Sequence, residues 1–172
     1  MDIILIPGLW LDGSSWEKVV PVLEQAGRRT HPITLPGMES QDADRSGISL
    51  RDHVDAVIAV IDSVDPADGR VVLVGHSAAG AIAHAAVDAR PDRVARVVYV
   101  GGFPTRDGAA VADKARAAFR ERATPAPERV TRDPQQLTDE RRYDVPVTVI
   151  STEFTSETLR TWIEQSVYYP HE

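Results

Sequence analysis

Val71-Val72-Leu73-Val74-Gly75-His76-Ser77-Ala78-Ala79-Gly80-Ala81-Ile82-Ala83-His84 decides how the rest of this chain is read. A short, bounded, mostly β-branched run leads into Gly-His-Ser-Ala-Ala-Gly, and an alanine-rich segment follows. The run has the character of a buried parallel strand. The alanine-rich segment favours a helix. The chain must therefore reverse direction in very few residues. A serine at the apex of such a turn is lifted off the sheet edge with its hydroxyl exposed and its backbone strained. Gly75, Ala79 and Gly80 suit a place where strand and helix pass close together. A phosphate-binding loop fits poorly, since neither Gly-x-Gly-x-x-Gly nor Gly-Lys-Ser/Thr is present.

Outward from this stretch the chain alternates. Asp2 to Ile6 reads as a central strand, broken by Pro7-Gly8. A helix is expected from Ser14, with Ser14 and Glu17 as a capping box and Trp16, Val19, Val20, Leu23 and Ala26 at helical spacing. Pro21 inside it implies a kink or a tight first turn. Arg29 to Leu35 reads as a strand, at an edge because of Pro32. Ser49 caps a helix carrying Leu50, Val54, Val57, Ile58 and Ile61 on one face. Val94 to Val100 and Val145 to Ser151 are further strands, and Ser156 to Gln165 is a last helix. Strand–helix alternation of this kind implies a parallel sheet with right-handed crossovers. The expected fold is α/β: a sheet of about five parallel strands with helices on both faces, in three layers. Residues 105–145 break the rhythm, with a helix expected over Asp107–Arg122, and read as a small helical lid or surface excursion.

Composition narrows the function. A chain of 172 residues with 42% hydrophobic and 26% charged residues fits one soluble globular domain, taken as 1–172. The net charge of −7 argues against nucleic acid as a partner. No apolar run has membrane-spanning length, so no membrane is expected. The absence of cysteine fits the cytoplasm, and no signal peptide is expected ahead of Asp2. Arginine predominance over lysine has a bland explanation in a GC-rich bacterial genome. Five histidines without His-Glu-x-x-His or clustered carboxylates argue against a metal, and no cofactor is expected.

Gly75-His76-Ser77-Ala78-Ala79 resembles the Gly-x-Ser-x-Gly nucleophile elbow of the α/β-hydrolase fold superfamily, with alanine at the last position and Gly80 just after. Gly8-Leu9-Trp10-Leu11-Asp12-Gly13-Ser14-Ser15-Trp16 is similar to the opening of the methyl-esterase and hydroxynitrile-lyase branch and its bacterial relatives, though Pro7 stands where that branch has histidine. Leu35-Pro36-Gly37 matches the Leu-Pro-Gly found there. The resemblance implies Ser77 as nucleophile and the N–H groups of Leu9 and Ala78 as an oxyanion hole. It implies an acid at the end of the fifth strand, where Glu153 stands, with Asp107 as the alternative. It implies a histidine base after one further strand. Only His171 is available there, near the end of a strand stub over Val167 to Tyr169 that is just long enough to climb back across the sheet. Trp10, Leu11, His76 and Phe103 would line the pocket.

Two functions follow as expectations. One is an esterase-like serine hydrolase acting on a small apolar ester. The other is a shortened, catalytically impaired relative that binds a small ligand without turnover. A missing final strand would also leave an exposed sheet edge open to pairing with a second copy.

Overall fold

The computed structural model describes residues 1–110, 126–151 and 155–164. Five strands, β1 (Asp2–Ile6), β2 (Arg29–Pro32), β3 (Val71–His76), β4 (Val94–Val100) and β5 (Val147–Ile150), form one parallel sheet in the order β2-β1-β3-β4-β5. The crossovers between them carry α1 (Val20–Gln25), α2 (Leu50–Ser63) and α3 (Ala79–Ala89); α4 (Glu128–Arg132) precedes β5 and α5 (Ser156–Glu164) follows it.

Every residue of β1 is buried, as a strand flanked on both sides and covered on both faces requires. Its first residue, Asp2, is a carboxylate only 3% exposed. It survives there because Arg29 and His31 on β2 both bond it, at 2.7 and 2.9 Å. The hydrogen bond from Arg29 is the main reason that its carboxyl is held below the usual range. β2 lies at the sheet edge, where Pro32 removes no ladder bond from the interior.

One face of the sheet carries most of the core. Ile4, Ile6, Leu73, Val71, Val97 and Tyr99 pack there against α2 and α3. The capping box of α2 is formed by Ser49 and Asp52. α3 can approach β3 closely because its inner residues are small: a Cβ on Gly75 would stand 3.0 Å from the Ala79 carbonyl oxygen and 3.2 Å from Ala83 Cβ. The other face carries a smaller cluster of Ile3, Leu5 and Trp16, with Val20 and Leu23 packed on it.

The first helical unit differs from expectation. Ser14 is not its cap. Asp12 accepts from the Ser14 N–H, and a short 3₁₀ turn over Gly13–Trp16 precedes α1. Pro21 falls in the first turn of α1, where its missing N–H costs nothing. Of the residues at helical spacing, Trp16, Val20 and Leu23 pack together on the sheet across both pieces, while Val19 and Ala26 are exposed.

Residues 111–125, within the expected lid, lie outside the described residues. The part that is described, 126–146, packs along α2 and α3. The buried Gln135 side chain donates to the Ala81 carbonyl at 2.9 Å. Asp88 on α3, 6% exposed, accepts from the N–H groups of Thr138 and Asp139 and from Arg142.

Candidate active site

β3 ends at the carboxyl edge of the sheet, where ligands bind in folds of this kind. The next residue, Ser77, has φ +54°. A left-handed backbone at a serine costs about 1–2 kcal/mol and persists only where the surroundings fix it. Four neighbours do so. The Ser77 N–H donates to the Val100 carbonyl at 2.9 Å, and its own carbonyl accepts from Gly80 N–H at 3.0 Å. Gly102, just past β4, packs so tightly beneath the turn that a Cβ there would lie 2.2 Å from the Ser77 carbonyl oxygen. The fourth neighbour is Gly8 in the loop after β1, whose hypothetical Cβ would stand 3.3 Å from Ser77 Cβ. Ser77 itself is half-buried.

The β1 loop thus runs directly against the serine. Gly8-Leu9-Trp10-Leu11 forms a turn closed by Leu11 N–H to Gly8 C=O at 3.1 Å. Trp10 occupies its third position with φ +73°, a place that type II turns usually give to glycine. A second strained residue therefore sits two positions from Gly8. Among the described residues, the Leu9 and Ala78 N–H groups donate to no protein acceptor. Ala78 caps α3, where backbone donors are free by construction.

Of the lining residues expected from sequence, Leu11 is exposed, Trp10 and Phe103 are half-buried, and the Phe103 backbone presses on the start of α3. A Cβ on Gly80 would stand 2.5 Å from the Phe103 carbonyl oxygen. The His76 ring packs edge-on against Trp16, with centroids 6.3 Å apart and planes at 82°. Burial pushes the His76 imidazole below its ordinary pKa.

Glu153 and His171 both lie outside the described residues. Asp107, the alternative acid, is exposed and accepts the Leu137 N–H at 2.9 Å, which ties the loop after β4 to the segment returning toward β5. His31 is committed to Asp2, and His53 to the Pro36 carbonyl. Among the described residues no group of three or more histidines, aspartates and glutamates converges.

His84 belongs to a separate cavity of about 70 Å³, lined also by Tyr99, Arg142, Tyr143 and Val147. Ser77 does not line it. Burial, then the positive charge of Arg142, pushes the His84 imidazole down to about 4. The unfolded chain would bind this proton near pH 6.5. Between pH 6.5 and 4 the unfolded state therefore holds more protons, and stability falls as the pH falls. The contribution to that loss is about 2 kcal/mol between pH 7 and 4.5. Urea midpoints for wild type and His84→Gln should diverge over this range, the variant losing less. His53, buried and shifted the same way, contributes equally to both proteins and cancels in the difference.

The profile of the alpha/beta hydrolase family matches residues 3–168. A pyrethroid hydrolase from Sphingobium wenxiniae is 34% identical over 107 residues, covering 62% of this chain and 38% of that protein. Methylesterase 8 from Arabidopsis thaliana is 31% identical over 100 residues, covering 58% of this chain and 37% of that protein. The chain thus spans about two fifths of the length of these curated relatives. The crystal structure of a pyrethroid hydrolase from Sphingobium faniae superposes with TM-score 0.57 at 31% identity, over 64% of this chain and 43% of that one. A methylesterase from Arabidopsis superposes with TM-score 0.73 over 99% of this chain and 86% of that one, at 16% identity, a likeness of fold.

Proposed function

Because this chain belongs to the alpha/beta hydrolase family, we propose that it is a serine hydrolase of the esterase kind, with Ser77 as nucleophile. The observation that carries the reading is the left-handed backbone of Ser77, fixed between the ends of β3 and β4 and the β1 loop. Nothing in the packing of a strand–helix junction requires a serine in that strained conformation. Chemistry at the hydroxyl does.

In this reading the Ser77 Oγ attacks the ester carbonyl carbon and its proton passes to an imidazole. The carbonyl oxygen becomes an oxyanion held by the N–H groups of Leu9 and Ala78, each worth about 2.7–4 kcal/mol in the transition state. The C–O bond breaks, and the alcohol leaves with the proton. Water then repeats the sequence on the acyl-serine and releases the acid. His171 is the base and Glu153 its orienting carboxylate. Trp10, Leu11 and Phe103 at the mouth favour a small apolar acyl or aryl ester. The names of the similar proteins, a hydrolase and methylesterases, support the ester class. A cytoplasmic setting fits the lack of cysteine.

The test is p-nitrophenyl acetate turnover together with fluorophosphonate labelling, read by intact-protein mass spectrometry. One adduct is expected on wild type and none on Ser77→Ala, with turnover reduced at least about a thousandfold. Equal rates or equal labelling of the two proteins would sink the assignment.

A further inference from the structure

His76 has a task that the reaction scheme leaves open. The pairing of Leu5 with Val74 puts the side chains of Ile3, Leu5, Val74 and His76 on one face of the sheet, opposite α2 and α3. On that face His76 meets Trp16, which is buried against Ile3 and Leu5. Trp16 is anchored at the end of its 3₁₀ turn. Asp12 takes the Ser14 N–H at 2.7 Å, and Gly13 N–H donates to Thr34 Oγ1 at 3.0 Å. The imidazole also abuts the β1 loop: a Cβ on Gly8 would stand 2.9 Å from His76 Nδ1. An indole, an imidazole set edge-on to it and a bare backbone Cα thus follow one another, ending one residue before Leu9.

We propose that His76 is a positioning residue: wedged between Trp16 and Gly8, its ring fixes how far the Gly8–Leu9 backbone stands from Ser77, and so where the Leu9 N–H points. The proposal rests on the serine-hydrolase reading for its purpose, though the wedge itself is a matter of packing. An oxyanion donor works only at about 2.7–3.1 Å from the oxygen that forms. A loop free to drift by the width of a missing ring loses that distance in the transition state while leaving ester binding nearly intact. Glycine at position 8 belongs to the same arrangement, since any side chain there would have to push the ring aside.

The experiment uses the full chain with His76→Ala, His76→Phe, Gly8→Ala and the double variant Gly8→Ala/His76→Ala. Two readouts are taken: kcat and KM for p-nitrophenyl acetate, and the backbone amide spectrum of ¹⁵N-labelled protein. His76→Ala should lower kcat at least tenfold with KM changed less than twofold, and should shift the Leu9 amide resonance. His76→Phe, which keeps a flat ring but cannot carry a proton, should restore at least half of the wild-type kcat. Gly8→Ala should lower kcat, and adding His76→Ala should recover part of the loss rather than deepen it. Unchanged kcat in His76→Ala, failure of phenylalanine to rescue, or simple addition of the two losses each overturns the positioning role. An unshifted Leu9 amide overturns the wedge whether or not the protein hydrolyses esters. Wild type that neither turns over nor labels overturns the hydrolase reading and the oxyanion purpose with it. The amide spectrum keeps that failure distinct from a failure of the wedge.

Discussion

Gly102→Ala is expected to lower the unfolding free energy by about 4 kcal/mol, beyond the ordinary 1–3 kcal/mol of an overpacked core. The added methyl would lie 2.2 Å from the Ser77 carbonyl oxygen, 2.9 Å from its carbonyl carbon and 3.1 Å from its Cα. All three are backbone atoms. No side chain can rotate away to make room. Either the loop after β4 or the turn at Ser77 must move, and both are tied: Ser77 N–H to the Val100 carbonyl, and Gly101 N–H to the Ile150 carbonyl. For a chain of this length the loss corresponds to a Tm lower by roughly 8–16 °C. Calorimetry measures it directly. Gly47→Ala is the control, because a Cβ there meets nothing within 4 Å. A Gly102→Ala protein as stable as the control would mean that the close approach beneath Ser77 is not real. Whatever fraction of the variant still folds should label poorly with a fluorophosphonate, since the hydroxyl it presents has been displaced.

Ser77→Gly should separate stability from activity in opposite directions. At φ +54° serine carries about 1–2 kcal/mol of backbone strain that glycine does not. Glycine gives back about 0.4–1 kcal/mol through the greater freedom of its unfolded chain. The strain is the larger effect, so the variant should be more stable by about 0.5–1 kcal/mol. Ester turnover should fall by at least about a thousandfold, to the background that oxyanion donors and binding alone provide. Ser77→Ala makes the comparison clean: it loses the hydroxyl but keeps the strained Cβ, so its activity should match that of the glycine variant while its stability stays near wild type. Denaturant midpoints with esterase assays on the same preparations decide it. A glycine variant less stable than the alanine variant would show that position 77 is not held in the left-handed region.

Much of this arrangement is legible in the residue order. The alternating strands and helices, the burial of β1 and β3, the sharp bend at Ser77 and the edge placement of β2 all follow from short-range patterning. Each depends on periodicity, β-branching or a proline within one element. The cap of the first helical unit shows the limit of such reading. Ser14 and Glu17 satisfy the capping-box pattern, yet Asp12 is the residue that bonds, because a 3₁₀ turn intervenes before the helix proper. Two side chains two residues apart can both satisfy a local rule, and only the backbone path chooses between them.

Local order determined that Ser77 sits at a strand-to-helix bend, and that small residues must flank it, since a strand and helix joined so tightly leave no room for larger ones. Only the tertiary structure decided what meets that bend. The strand order places β1 beside β3 and β4 on its other side, so Gly8 and Gly102, 69 residues before and 25 residues after Ser77, close on it from opposite directions. The same holds for Trp16 against His76 and for Asp88 against Arg142. Contacts across crossovers depend on how helices pack over a twisted sheet, and no periodicity within a single segment encodes which distant backbone arrives there.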